Sequence, residues 1–152
     1  MTENDSLCIL VIHGPNMNLI GKRPKEIFGT LTLDKIDRGL RRFGQEANLR
    51  LKIFQSNSEA DIVTKLQRQR NWADGILLNP TTLCFTSYTI LDTLQLVNLP
   101  TVEVHLTGYL AGKAVRESLI REQCLAHIAG PVDEAYIKGL RILAEHLRGS
   151  RG

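Results

Sequence analysis

The chain has 152 residues, 43% hydrophobic and 23% charged, with a formal net charge of +3. That length is one domain, able to bury roughly two thirds of its unfolded surface. Basic and acidic residues are interspersed and only 5% of the chain is aromatic, so it lacks both the electrostatic footprint and the stacking surface of a nucleic-acid binder. No run approaches the roughly 20 apolar residues of a membrane span. The polar start, Met1 to Ser6, lacks the apolar region of a signal peptide, and a cytoplasmic location is expected. Cys8, Cys84 and Cys124 show no metal-like spacing and no even disulfide set. Cys8 and Cys124 lie in apolar runs and read as small core residues. Cys84 sits in a candidate site loop and is a candidate nucleophile, although no neighbour in the sequence argues for that role.

Taken in order, the elements alternate. Leu7 to Ile12 is an apolar run that reads as a buried strand. Thr32 caps a helix to about Ala47, with Leu33, Ile36, Leu40 and Phe43 on one face. Leu49 to Gln55 alternates as a strand, and Ser58 caps a helix whose inner face is Ile62 and Leu66. Gly75 to Asn79 is a buried strand stopped by Pro80, and Ser87 to Leu96 is a helix. Thr101 to Leu106 is the fourth strand, Ala114 to Glu122 a helix, Cys124 to Ala129 the fifth strand, and Val132 to Leu147 the last helix. Five strands separated by helices give a single doubly wound α/β domain over residues 1–152, with residues 1–6 and 148–152 expected to fray.

Between the first strand and the first long helix, His13 to Gly29 forms an extended loop punctuated by Gly14-Pro15, Gly21, Pro24 and Gly29. Long loops in compact domains are usually functional, and in an open parallel sheet ligands sit beyond the carboxyl ends of the strands. Amides at Asn16 and Asn18 and cations at Lys22 and Arg23 suit a polar or anionic ligand. Glu103 and His105 are two apart on a strand, so both point to one face. A carboxylate beside an imidazole fixes its tautomer and favours its protonated form, which makes His105 a candidate general acid or base.

Gly-Pro-Asn-x-Asn-x-x-Gly-x-Arg from Gly14 to Arg23, ending in Phe28-Gly29, resembles the type II 3-dehydroquinate dehydratases. Gln55-Ser56-Asn57-Ser58-Glu59, Leu77-Leu78-Asn79-Pro80, Ser87 with Asp92, and Val102-Glu103-Val104-His105 agree in order and spacing over roughly Leu7 to Leu147. The resemblance implies a flavodoxin-like five-stranded parallel sheet and a carbon–oxygen lyase without metal or organic cofactor. It implies a homododecamer of trimers in which Asp92 reaches a neighbour's site. By the same resemblance Asn16 holds a water that stabilises an enol, Asn79 binds the substrate carboxylate with the backbone N–H groups of Leu106 and Thr107, and Arg23 and Arg116 are lid arginines. Arg116 takes that place if the segment Gly108 to Ala114 carries four extra residues.

The chain departs from the pattern at the base. The family removes a proton alpha to a ketone with an ionised tyrosine, and Phe28 stands at that position. Phe85 replaces a substrate-contacting histidine, Ile120 replaces an arginine, and Thr107 replaces a serine. Tyr109 lies in the loop after His105, but nothing in the sequence directs its hydroxyl. The expectation is therefore a lyase or isomerase acting by His105/Glu103 chemistry on a less hydroxylated cyclic carboxylate. The alternatives are slow dehydration of 3-dehydroquinate, or a ligand-binding paralogue without turnover. In each case the partner is a small anion, with no nucleic acid and no membrane.

Overall fold

The structure is a computed structural model and describes residues 5–108 and 116–151. Strands β1 (Leu7–His13), β2 (Leu49–Gln55), β3 (Gly75–Asn79), β4 (Thr101–Leu106) and β5 (Ala126–Gly130) form one parallel sheet in the order β2-β1-β3-β4-β5. This is the flavodoxin-like order. Helices α1 (Lys25–Phe28), α2 (Leu33–Glu46), α3 (Glu59–Gln69), α4 (Tyr88–Val97) and α5 (Val132–Arg151) connect or follow the strands. Among the described residues no helix is long and apolar enough to cross a membrane.

Hydroxyl caps start three of these helices. Thr32 accepts from the Lys35 N–H at 3.3 Å, Ser58 from Asp61 at 3.2 Å and Ser87 from Ile90 at 2.9 Å. Each satisfies a donor that the first turn leaves without a helical partner.

Strand residues alternate between two cores. Ile9, Val11, Leu77, Val102, Val104 and Leu106 pack toward α2 and α5 with Leu40, Leu140 and Leu143. Leu10, Ile12, Ile76 and Leu78 pack toward α3 and α4 with Ile62, Leu66, Ile90 and Leu94. Both faces of the sheet are covered, which explains why the strands read as continuous apolar runs. The period of two then fixes where the polar strand ends go. His13 and Asn79 follow Val11 and Leu77 onto the α2/α5 face, and Glu103 and His105 leave by the α3/α4 face.

Three local expectations change. α5 runs through Arg148 to Arg151 where a frayed tail was expected, because Arg148 Nη2 donates to the Ala47 carbonyl at 2.5 Å and Arg151 pairs with Asp74 at 3.0 Å. The helix expected over Ala114 to Glu122 falls partly outside the described residues; its described end breaks at Ser118, and Arg121–Gln123 is a single 3-10 turn. β5 begins at Ala126 because that is where pairing with Val102 starts.

Candidate functional site

Glu103 and His105 are buried side by side. His105 Nε2 and Glu103 Oε2 are 2.5 Å apart, and the side chains are 2% and 0% exposed. The pair is incomplete: Glu103 Oε1 and His105 Nδ1 are buried and have no hydrogen-bond partner among the described residues. A buried polar atom without a partner costs about 1–3 kcal/mol, so two in one pair mark a place where the fold has not optimised stability. Cys84, in the 3-10 turn Thr81–Phe85 that follows β3, brings its sulfur to the same place. One donor atom from each of Cys84, Glu103 and His105 lies within 4.8 Å of the others. Burial, and then the negative charge of Glu103, push the Cys84 thiol up to about 12, so it is a neutral S–H at physiological pH. Thr81, at the head of that turn, is a β-branched residue at φ 50° whose buried Oγ1 also has no partner among the described residues. Such a conformation is strained and is concentrated at functional sites.

A second polar group occupies the opposite face of the sheet. Asn79 Nδ2 donates to the Tyr136 hydroxyl at 3.0 Å. The Tyr136 hydroxyl lies 2.8 Å from His13 Nδ1, and His13 Nε2 lies 2.7 Å from Asp37 Oδ1. The assignment that gives every hydrogen an acceptor has Tyr136 O–H donating to Nδ1 and Nε2–H donating to the carboxylate. Asn79 Oδ1 accepts from the Thr81 N–H at 3.2 Å, and Nδ2 also approaches the Met17 sulfur at 3.4 Å. Burial holds the Tyr136 hydroxyl above the usual phenol range; the Asn79 hydrogen bond opposes this and the Asp37 charge adds to it. Tyr136 is therefore a fixed neutral relay between β1, β3, α2 and α5.

This differs from the expectation for Asn79. Its amide is committed to protein at both ends, and a carboxylate would reach it only by taking over one of those bonds. The Thr107 N–H, also expected to meet the carboxylate, donates instead to the Gly130 carbonyl at 2.8 Å and extends the β4–β5 pairing. Leu106 is buried in the α2/α5 core.

The long loop folds over the carboxyl edge of the sheet. Gly14 donates to the Asn79 carbonyl at 2.8 Å, and a Cβ there would stand 2.7 Å from that oxygen, so only glycine permits the approach. Asn16 adopts the left-handed conformation at φ 72°, and its N–H is fixed by the Asn57 side chain at 2.9 Å. Gln55 Nε2 bridges the Gly14 carbonyl, Asn18 and Asn57. Asn16, Leu19, Lys22, Arg23 and Pro24 line a cavity of about 280 Å³, cationic at its rim. The Arg23 guanidinium lies 5.8 Å from the centre of the Phe28 ring. Phe28 is 6% exposed and packs with the α2/α5 core. Its Cζ lies 3.7 Å from where a Cβ on Gly108 would stand, and such a Cβ would collide with Ile27. Phe28 therefore reaches the end of β4, three residues past His105.

The remaining expected residues are dispersed. Phe85 is half-buried, Asp92 is exposed on α4, and Arg116 is exposed. Ile120 is 0% exposed and belongs to the α3/α4 core, so it walls no open pocket. Tyr109 and the extra segment after Gly108 lie largely outside the described residues. Sequence reasoning missed His13, Asp37, Tyr136 and the approach of Cys84 to His105. The signals available were a histidine closing an otherwise apolar strand, and a tyrosine within an apolar helical stripe, where a buried hydroxyl needs a partner.

Comparison with known proteins agrees with this architecture. The family model described as "Dehydroquinase class II" matches residues 7–144. A 3-dehydroquinate dehydratase from Geotalea daltonii is 38% identical over 141 residues, covering 92% of this chain and 98% of that protein. Two crystal structures of type II dehydroquinases superimpose well. One, from Butyrivibrio crossotus, has a TM-score of 0.80 at 29% identity and covers 94% of this chain and 98% of its own. The other, from Propionibacterium acnes, has a TM-score of 0.82 at 27% identity, covering 91% and 96%. With the family model spanning residues 7–144 and a relative 38% identical over nearly its whole length, this chain belongs to the class II dehydroquinase family.

Proposed function

We propose that the chain is a carbon–oxygen lyase of the 3-dehydroquinate dehydratase type, eliminating water from a cyclic hydroxy-carboxylate. The observation that carries this reading is the buried Glu103–His105 pair with an unpartnered Nδ1. Glu103 holds the ring through Nε2, and Nδ1 is the nitrogen left to serve a leaving group. In the elimination a water in the site takes the proton from the carbon alpha to the ketone, and an enolate forms. The C–O bond beta to the carbonyl then breaks, and His105 delivers its proton to the departing oxygen, which leaves as water. Lys22 and Arg23 at the cavity rim, with Arg116 as the second lid arginine, supply the positive charge for the carboxylate.

Phe28 weakens the first step, since a benzyl ring accepts no proton. Losing a general base costs typically about 10²–10⁴-fold, so dehydration of 3-dehydroquinate by this chain is slow. The second reading, turnover of a less hydroxylated anion by the same His105 chemistry, is favoured by the half-buried ring of Phe85; Phe28 and Ile120, both buried in the core, lend it nothing. A family-type homododecamer of trimers completes the proposal, with Asp92, Tyr88 and Leu96 exposed on α4 as the contact residues.

The test follows the conjugated enone product spectrophotometrically with 3-dehydroquinate as substrate. Slow turnover that rises with Phe28→Tyr and vanishes with His105→Gln supports the dehydratase reading. Turnover unaffected by His105→Gln removes it. Binding of 3-dehydroquinate without turnover in either the parent or the Phe28→Tyr variant moves the chain to the non-catalytic alternative.

A further inference from the structure

We propose that Cys84, Glu103 and His105 form a binding site for one borderline-soft divalent cation of the zinc class. The three side chains come from two elements. Cys84 is delivered by the turn after β3, and Glu103 and His105 by the α3/α4 face of β4. One donor atom from each lies within 4.8 Å of the others, and the residues are 0%, 0% and 2% exposed. Among the described residues this is the only group of three such side chains with ligand spacing. The geometry alone is permissive; the second observation points to a ligand. Glu103 Oε1 and His105 Nδ1 are lone-pair donors buried without any hydrogen-bond partner among the described residues.

The donor set selects the ion. Thiolate, imidazole and carboxylate together are a zinc-type set with a fourth position left over, whereas magnesium and calcium demand oxygen. On binding, the Cys84 S–H bond breaks and its proton goes to solvent, together with any proton on His105 Nδ1, and the sulfur and Nδ1 lone pairs form the bonds to the metal. No redox change is needed. A metal on His105 Nδ1 occupies the nitrogen that would carry the proton for a leaving group, so the ion is an inhibitor of turnover. That consequence rests on the lyase reading, whereas the binding does not.

The full chain is treated with chelator and titrated with Co(II) alone. The expected result is a near-ultraviolet thiolate-to-cobalt charge-transfer band that saturates at one ion per chain and is abolished by Zn(II). Cys84→Ser removes the band with an unchanged circular dichroism spectrum, and Cys124→Ala retains it. No band in the parent chain, or a band that survives Cys84→Ser, overturns the proposal. Should Cys84→Ser fail to fold, zinc-edge X-ray absorption of the unaltered chain decides: one sulfur at about 2.3 Å with nitrogen and oxygen neighbours supports the site, and a shell of nitrogen and oxygen only overturns it. Dehydration is scored separately on the chelator-treated chain, so a chain that binds the ion but turns over nothing when stripped of it refutes the lyase reading and leaves the metal site standing.

Discussion

Two buried polar groups lie on opposite faces of one sheet, near the same edge, and they are finished to different degrees. In the Asp37–His13–Tyr136–Asn79 chain, 2.7, 2.8 and 3.0 Å links give each named side chain a partner. In the Cys84–Glu103–His105 group a 2.5 Å contact coexists with two partnerless buried atoms. A completed network in a low-dielectric interior rigidifies what it joins; an incomplete one is costly and persists where something else is meant to complete it. The α2/α5 face therefore reads as scaffold and the α3/α4 face as chemistry, although both carry a histidine at a strand end.

Substitutions at the two histidine-bearing faces should separate these roles. The largest effect is expected on activity. His105→Gln keeps a donor for Glu103 but removes the acid, so any turnover should fall by about 10²–10⁴ while the urea midpoint barely moves. Loss of stability without loss of rate would assign His105 to the scaffold and erase the contrast.

Tyr136→Phe should do the reverse. It keeps the buried ring but leaves Asn79 Nδ2 and His13 Nδ1 without their partner, at about 1–3 kcal/mol for each orphaned group. Equilibrium urea denaturation measures this directly. A variant as stable as the parent would show that the network closes by another route.

The difference between the faces was only half visible in the sequence. The strands were legible because burial on both sides leaves continuous apolar runs, and Thr32, Ser58 and Ser87 announced helix starts by the chemistry of their hydroxyls. Glu103 and His105 were legible as a pair because a strand repeats every two residues. The scaffold network was not, since His13 and Tyr136 are 123 residues apart and no local pattern encodes which helix residue covers which strand end. The same limit hid Cys84, whose neighbours at the site lie on a different element. Strand register also decided what the motif could not: Asn79 and His105, both strand-end polar residues, leave the sheet on opposite faces.

Alkaline pH offers a smaller probe of the unfinished face. Burial first and Glu103 second push both Cys84 and Cys124 to about 12 from an ordinary 9.0. Below pH 9 the thiols are protonated in the folded and the unfolded chain. As pH rises from 9 toward 12, the unfolded chain sheds these protons while the folded chain keeps them, so stability falls by up to about 1.4 kcal/mol per pH unit for each thiol. A Cys84→Ala/Cys124→Ala variant should show a shallower alkaline limb in melting temperature against pH. An unchanged limb would mean that other groups dominate; Tyr136, also raised, is the first candidate.

The smallest effect is expected at the outer end of the scaffold network. The Asp37 side chain is 21% exposed, so water can replace part of what it provides to His13. Asp37→Asn retains an oxygen for the His13 Nε2–H and loses only the charge assistance of the hydrogen bond, which should cost about 1 kcal/mol. The informative quantity is the coupling with Tyr136→Phe. If the network acts as one unit, a double variant should lose less than the two single losses added together, because the second change strikes an already opened chain. Strict additivity in urea denaturation would mean that Asp37, His13 and Tyr136 are independent contacts, and the two faces would then differ in the number of their partners but not in cooperativity.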